Sequence, residues 1–353
     1  MVRQQFLTGM PFFKLVSLLL KHGFDKSYVL DVIRLLKVGL ISTLFSLIEN
    51  FRFHKKINIT QITQAPIFII GHWRSGTTYL QKILAQDEQL TTPTFYQCAL
   101  PQSFISSSKY IKPVLMKTIP ATRIFDGMAF GVDEPFDDDF ALLKLTGTSR
   151  MLHFAFPRYT SFNDHANQYP VDESLWCSAF MFFSKKLTFV TGKRLLFKSP
   201  MNTIRIKELL KLFPDAKFIY LHRHPEDVYV SSLNHSEKLF EHNKLNGSKT
   251  NIKEFIFSRY LSLYDAYEKH KKVIPSPQLI EISFQSLETS PIDQIKSIYE
   301  KFGLDGMDQA ILNIEGYIES TINYKKNSFD LPENDAITVK YRWQKAYKKF
   351  GYT

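Results

Sequence analysis

Cysteine is nearly absent from this chain: 353 residues contain two, Cys98 and Cys177, 79 positions apart. That excludes a disulfide scaffold and a cysteine-based zinc site, and it fits a reducing, cytoplasmic compartment. Long apolar runs are missing too. The longest uncharged one, Val38 to Ile48, has 11 residues, against the roughly 20 that a spanning helix needs. A secretory signal fits poorly, because Lys14 and Lys21 bound a stretch that is too short. There is no internal repeat and no low-complexity tract. With 44% hydrophobic and 22% charged residues, disorder and fibrous structure are excluded. The length allows one large domain or two ordinary ones.

Charge is not balanced. Lys and Arg total 45 against 34 Asp and Glu, a net of +11. Residues 1–56 hold nine Lys/Arg and three Asp/Glu, so +6 of the excess lies there. A basic chain suits an anionic partner: nucleic acid, a membrane surface or a phosphorylated ligand. Pro11 can open a short helix through Leu20 that Gly23 closes. Ser27 can cap a second helix reaching about Asn50. In it Asp31, Arg34 and Lys37 share one side. Leu30, Ile33, Leu36, Leu40, Leu44 and Ile48 cover the other, and the basic cluster Arg52, His54, Lys55, Lys56 follows. Such a face can lie on an anionic membrane, receive an apolar substrate, or pack on the main domain.

From residue 65 the pattern becomes α/β. Short apolar strands are expected at Ile67–Ile70, Arg194–Phe197, Lys217–Leu221 and Leu279–Ile282, alternating with helices, one of them from about Asn202 to Phe213. That alternation implies a parallel sheet with helices on both faces, and a ligand at the strands' carboxyl ends. After the first strand comes Gly71-His72-Trp73-Arg74-Ser75-Gly76-Thr77-Thr78. Strand, glycine-bounded loop and helix start make an anion cradle of backbone N–H groups and helix dipole. The glycine spacing is that of the nucleotide P-loop, but its lysine is replaced by Thr77 and the basic group has moved to Arg74. The second of these strands runs into Lys198-Ser199-Pro200, not into a magnesium-holding aspartate. Arg223 stands at the end of the third, with Pro225 in the first turn of a helix and Ser231 about two turns in. An arginine fork and a hydroxyl there can hold phosphate.

Taken together these segments resemble the sulfotransferases. Pro66 to Thr78 is similar to that family's 5′-phosphosulfate loop. Arg223 and Ser231 look like the two ends of its 3′-phosphate motif, and Leu196–Pro200 resembles the strand that carries a lysine beside the sulfonate. Gly131 to Asp139 is similar to an acidic segment of the broad bacterial branch. Asn323–Asn327, Trp343 and Gly351-Tyr352 resemble its C-terminal part. The resemblance covers residues 60–353 in order. It implies an α/β, P-loop-type three-layer fold with a central parallel sheet flanked by helices: a sulfotransferase domain over 61–353 and an amphipathic, basic helical extension over 1–60. The implied donor is 3′-phosphoadenosine 5′-phosphosulfate, with no metal and no nucleic-acid partner.

The resemblance also implies roles. Arg74, Ser75, Gly76, Thr77 and Thr78 would hold the 5′-phosphosulfate, and Arg223 and Ser231 the 3′-phosphate. Lys325 and Lys326 would close over the donor. Arg74 and Lys198 would face the charge that develops in transfer. An acceptor hydroxyl also needs a base. Where the tyrosine-sulfating relatives carry a glutamate, this chain has Pro93 to Gln97 and no carboxylate. Glu134 is the alternative, followed by His72, with His153 and His222 behind. Asp137, Asp138 and Asp139 read as a solvated cap of the helix through Leu145 rather than as metal ligands. Phe104, Phe125, Phe130, Phe136, Phe154, Phe156 and Tyr159 form either an apolar slot or ordinary core. The acceptor is then a lipid, a sterol-like or other amphipathic alcohol, or a glycan, with peripheral contact to an anionic membrane. A divergent kinase, or a non-catalytic membrane-peripheral protein with a phosphate site, are the competing readings.

Overall fold

The computed structural model describes residues 5–123, 127–159, 172–247, 250–321 and 330–352. They fall into two compact units: residues 1–62, 93–192 and 235–252 in the first, and 63–92, 193–234 and 253–353 in the second.

The second unit holds a parallel sheet of β1 (Ile67–Gly71), β2 (Leu90–Thr91), β3 (Arg194–Lys198), β4 (Lys217–His222) and β5 (Leu279–Ser283), in the order β2-β3-β1-β4-β5. Ile67 pairs with Leu196 on one side and with Lys217 on the other, which fixes the register of the central strand. Every residue of β1 is buried. This is why the strand reads as an unbroken apolar run rather than an alternation: helices cover the sheet on both faces. Alternate residues serve opposite faces. Ile67 and Ile69 join Leu80, Ile83, Ile219 and Ile298 in one core. Phe68 points the other way, its ring 5.5 Å from both Phe197 and Phe218. The expected strands at 67, 194, 217 and 279 are all present. β2 was not foreseen, because two residues carry no period. The helix expected over Asn202–Phe213 is instead a 3₁₀ turn, Pro200–Ile204, and a helix, Ile206–Leu212. Ser199 explains the turn: its Oγ accepts from the Met201 N–H at 3.1 Å, starting the turn before Asn202.

The first unit is helical. α1 (Phe12–His22) ends at Gly23 as expected. α2 (Val29–Ile59) differs from the reading above. Ser27 lies in a 3₁₀ turn, Lys26–Tyr28, and does not cap the helix. The helix runs to Ile59, taking in the basic cluster, since nothing between Asn50 and Ile59 breaks it. Of the alternatives left open for its apolar side, packing into the unit's interior is not the one observed. The side facing the unit's interior carries Val32, Leu35, Gly39, Ser42, Glu49 and Ile57. Leu30, Ile33, Leu40, Leu44 and Ile48 are exposed. Gly39 is needed inside: a Cβ there would stand 2.9 Å from the Met10 carbonyl oxygen. Ser42 Oγ donates to the Gly9 carbonyl at 2.8 Å.

Glu49 decides the orientation. It forms a fully buried ion pair with Lys186 of the helix Glu173–Thr191. Its other oxygen accepts from the Ser106 N–H at 2.7 Å. Lys186 also donates to the Pro101 carbonyl at 2.5 Å and lies 4.2 Å from the Phe104 ring centroid. Burial pulls the Lys186 pKa down to about 8, against the opposing pull of Glu49. Removing one partner strands the other charge. Glu49→Ala should therefore cost about 3–5 kcal/mol in urea unfolding, whereas Glu49→Leu combined with Lys186→Met should recover most of it.

Candidate functional site

β1 delivers the chain into a tight turn, and α3 (Thr77–Leu84) leaves it. Two glycines make the turn possible. Gly71 has φ 141°, and a Cβ there would meet the Leu221 carbonyl oxygen at 2.3 Å. Gly76 has φ 94°, and a Cβ would meet the Phe284 ring at 2.2 Å. Between them Arg74 has φ 70°, the one non-glycine residue with positive φ among those described. Such a conformation costs on the order of 1 kcal/mol and persists only where surroundings enforce it. Ser75 Oγ holds the turn by donating to the His72 carbonyl at 2.7 Å. The first N–H groups of α3 have no acceptor within the helix, so the turn presents donors and the positive dipole end.

The side chains named for this site converge within the second unit. Arg74 Nε donates to Ser231 Oγ at 2.8 Å. Lys198, 2% exposed at the end of β3, donates to Thr78 Oγ1 at 3.2 Å. Arg223, just past β4, lies 4.7 Å from the Phe284 ring, pairs with Asp227 at 3.1 Å and directs Nη1 toward the Arg74 carbonyl at 3.5 Å. Ser231 thus sits beside the loop arginine as well as one helix after Arg223. Lys325 and Lys326 lie outside the described residues, as does Phe125.

One cation of the site was not foreseen. Arg259, in the helix Ile252–His270, is 8% exposed, and its three guanidinium nitrogens have no hydrogen-bond partner among the described residues. It lies 4.8 Å from the Trp73 ring centroid and 4.7 Å from that of Phe255. Burial pulls its pKa below the usual guanidinium value. No motif marks an arginine inside a helix 36 residues after Arg223, so only packing reveals it. A buried guanidinium without a hydrogen-bond partner is costly unless it meets an anion. Together with Lys198, Arg74 and a turn that excludes a Cβ, it fits a ligand with several negative groups.

Two of the histidines read as weaker base candidates, His72 and His222, are held neutral. His72 donates Nδ1–H to the Trp73 carbonyl at 2.6 Å. Burial first, then the Arg259 charge, keep its pKa well below the ordinary value. His222 stacks on Phe350 at 4.0 Å and shares a 2.6 Å hydrogen bond with the Tyr352 hydroxyl; burial lowers it to about 4.

Glu134 belongs to the first unit. Its carbonyl accepts from the Phe95 N–H at 2.9 Å, beside the Thr94–Pro135 bridge. Half-buried rings flank it. Phe95 lies 4.8 Å from Phe130 and 5.1 Å from Phe136, and Phe136 lies 4.9 Å from Phe140. Phe104, Phe154 and Phe156 are buried in the core and cannot line an open slot. The aspartate run also differs from the reading as a solvated cap. Asp138 and Asp139 are buried, and Asp139 accepts from Ser149 Oγ at 2.6 Å. Among the described residues no group of three His, Cys, Asp or Glu could hold a metal ion.

A parallel sheet with a glycine-bounded anion turn after its central strand and basic side chains at the strand ends defines a P-loop-type transferase site. Residues 66–309 match the model of the sulfotransferase family, and the chain belongs to that family. It is therefore an enzyme, a sulfotransferase whose donor is 3′-phosphoadenosine 5′-phosphosulfate, as the resemblance implied. The kinase and non-catalytic readings fall with that. The chain is similar to the omega-hydroxy-beta-dihydromenaquinone-9 sulfotransferases Stf3 of Mycobacterium bovis and Mycobacterium tuberculosis. It is 27% identical to each over 320 residues, 89% of this chain and 82% of theirs. Its fold is that of sulfotransferase STF9 from Mycobacterium avium, with a TM-score of 0.66 at 15% identity over 96% of this chain and 95% of that one. Sulfotransferase STF1 from Mycobacterium tuberculosis H37Rv gives 0.64 at 16% identity over 94% and 90%.

The neutral histidines predict a pH dependence. The unfolded chain takes up a proton at His222 near its ordinary value of 6.5, and the fold resists it until about 4. The stabilisation is complete above pH 6.5 and is lost as pH falls towards 4, by roughly 3 kcal/mol. Denaturation midpoints measured across that range should show the fall, and His222→Gln should reduce it.

Proposed function

We propose that this sulfotransferase moves the sulfuryl group to the hydroxyl of an amphipathic, lipid-like alcohol. The donor supplies an activated sulfuryl group on a phosphate, and the chain's residues position it and meet the charge that moves. The backbone N–H groups of Ser75, Gly76 and Thr77, with the Thr77 and Thr78 hydroxyls, bind the 5′-phosphate. Arg74 reaches the 5′-phosphosulfate. Arg223 and Ser231 bind the 3′-phosphate. Arg259 adds a buried positive charge for a donor anion. Lys198 stands where charge gathers on the bridging and sulfonate oxygens, so its contribution is greater in the transition state than in the ground state. The observation that carries the donor reading is the pairing of Arg74 with Ser231 and of Lys198 with Thr78 around one glycine turn.

Glu134 is the proposed base, taking the acceptor's proton as sulfur arrives. Its position among Phe95, Phe130 and Phe136 supports an apolar acceptor that ends in a hydroxyl. The similar Stf3 proteins, named for an omega-hydroxy menaquinone derivative, support the same class. A glycan would leave those rings without an apolar partner.

Calorimetry with adenosine 3′,5′-bisphosphate tests the donor site. Arg223→Ala, Ser231→Ala and Arg259→Met should each weaken binding, the arginine variants by about 10- to 100-fold. Lys198→Ala should keep that affinity and lower kcat by about 100- to 1,000-fold. Normal turnover in Lys198→Ala would remove its role.

With a polyprenyl alcohol as acceptor, Glu134→Gln should lower kcat by about 100-fold or more without changing bisphosphate affinity. Phe136→Ser should raise KM for that alcohol. Full activity of Glu134→Gln would exclude it as the base.

A further inference from the structure

α2 is packed inside out. Its interior side holds a glycine, a serine and a glutamate among its apolar residues, whereas its outer side is lined with large apolar side chains. Leu30 is 82% exposed, Leu47 62% and Phe51 93%. Leu40, Ile41, Leu44 and Ile48 are exposed with them. At 100° per residue these seven fall in one sector opposite Gly39 and Ile57. The exposed Lys37 and Lys55 lie in the same sector, and Arg52 lies on its edge. α2 contains two acidic residues in all, Asp31 on the flank and Glu49 in the interior, so the outward sector carries none. The patch extends onto the helix Phe104–Thr118. Tyr110, 62% exposed, lies 5.8 Å from Phe45 of α2, and Val114, one turn on, is exposed too.

A continuous exposed apolar face on this scale marks an interaction surface. Its charges choose the partner. In a two-fold dimer through this sector, Lys37, Arg52 and Lys55 would face a copy of the same sector, which has no carboxylate to pair with them. An anionic bilayer offers apolar depth for the leucines, isoleucines and Phe51 and phosphate for the lysines and arginine, whose stems can reach up to the headgroups. No helix among the described residues is long and apolar enough to cross a membrane, so this one would lie along its surface. At 31 residues it would lie over about 46 Å.

We propose that the outer face of α2, continued by Tyr110 and Val114, docks the enzyme on an anionic lipid surface. The inference does not depend on which alcohol is sulfated, and the docking residues are separate from those proposed to bind the donor.

The test is sedimentation of the full-length protein with phosphatidylcholine vesicles, and with vesicles in which about one third of the lipid is phosphatidylglycerol. Pelleting should be at least about 10-fold stronger with the anionic vesicles and should weaken as salt rises. Leu44→Glu/Phe51→Glu should abolish it, and Lys37→Glu/Lys55→Glu should weaken it by about 10-fold or more. Both variants should keep wild-type bisphosphate affinity, which shows that they are folded. The proposal is overturned if neither vesicle pellets the protein, or if Leu44→Glu/Phe51→Glu pellets as wild type does. It is also overturned if ultracentrifugation shows a dimer that Phe51→Glu separates, since the face would then be a subunit interface.

Discussion

The turn after β1 is the constraint on which the proposed donor site depends. Between Gly71 and Gly76 the chain must reverse from a buried strand into a helix while passing close to the Leu221 carbonyl and the Phe284 ring. No side chain fits at either glycine, and Arg74 is held at positive φ. That geometry aims the first N–H groups of α3 at one point and brings the Arg74 guanidinium to Ser231. Lys198 reaches Thr78 because β3 lies next to β1 in register. The sheet order β3-β1-β4 therefore sets the spacing of the cations at the strand ends.

In the first unit the governing term is the buried Glu49–Lys186 pair. Desolvating two charges is expensive, and the pair is sustained by the Ser106 N–H and the Pro101 carbonyl as well as by mutual attraction. Once Glu49 points inward, residues spaced by whole turns from its opposite side must point out. Leucines, isoleucines and Phe51 are thereby exposed, at a cost that a lipid surface would offset.

Much of this was legible in the chain. The four longer strands read correctly because buried parallel strands are short apolar runs bounded by turn residues. The glycine-bounded loop, Lys198 and Arg223 were placed at strand ends from sequence because each motif is local, and that is where the chain carries them. The failures have physical causes as well. β2 is too short to have a pattern, and Ser199 starts a 3₁₀ turn that helical periodicity cannot anticipate. The aspartates at 138 and 139 look solvated by type and are buried by packing. Arg259 belongs to no motif, and its burial against Trp73 depends on a contact across 186 positions.

By itself the sequence determined the fold class, the family and the glycine-bounded turn after the first strand. These rest on residue types at fixed local spacing: glycine where φ must be positive, apolar runs where both faces are covered, basic residues at strand ends. Tertiary structure decided what local spacing cannot carry. It chose which side of α2 is inside, which phenylalanines are core and which flank Glu134, and which arginine is buried against the rings of Trp73 and Phe255. An amphipathic pattern states only that two sides differ. Which side is covered depends on the partner that each meets, and here one buried glutamate and its lysine, 137 positions apart, settle it.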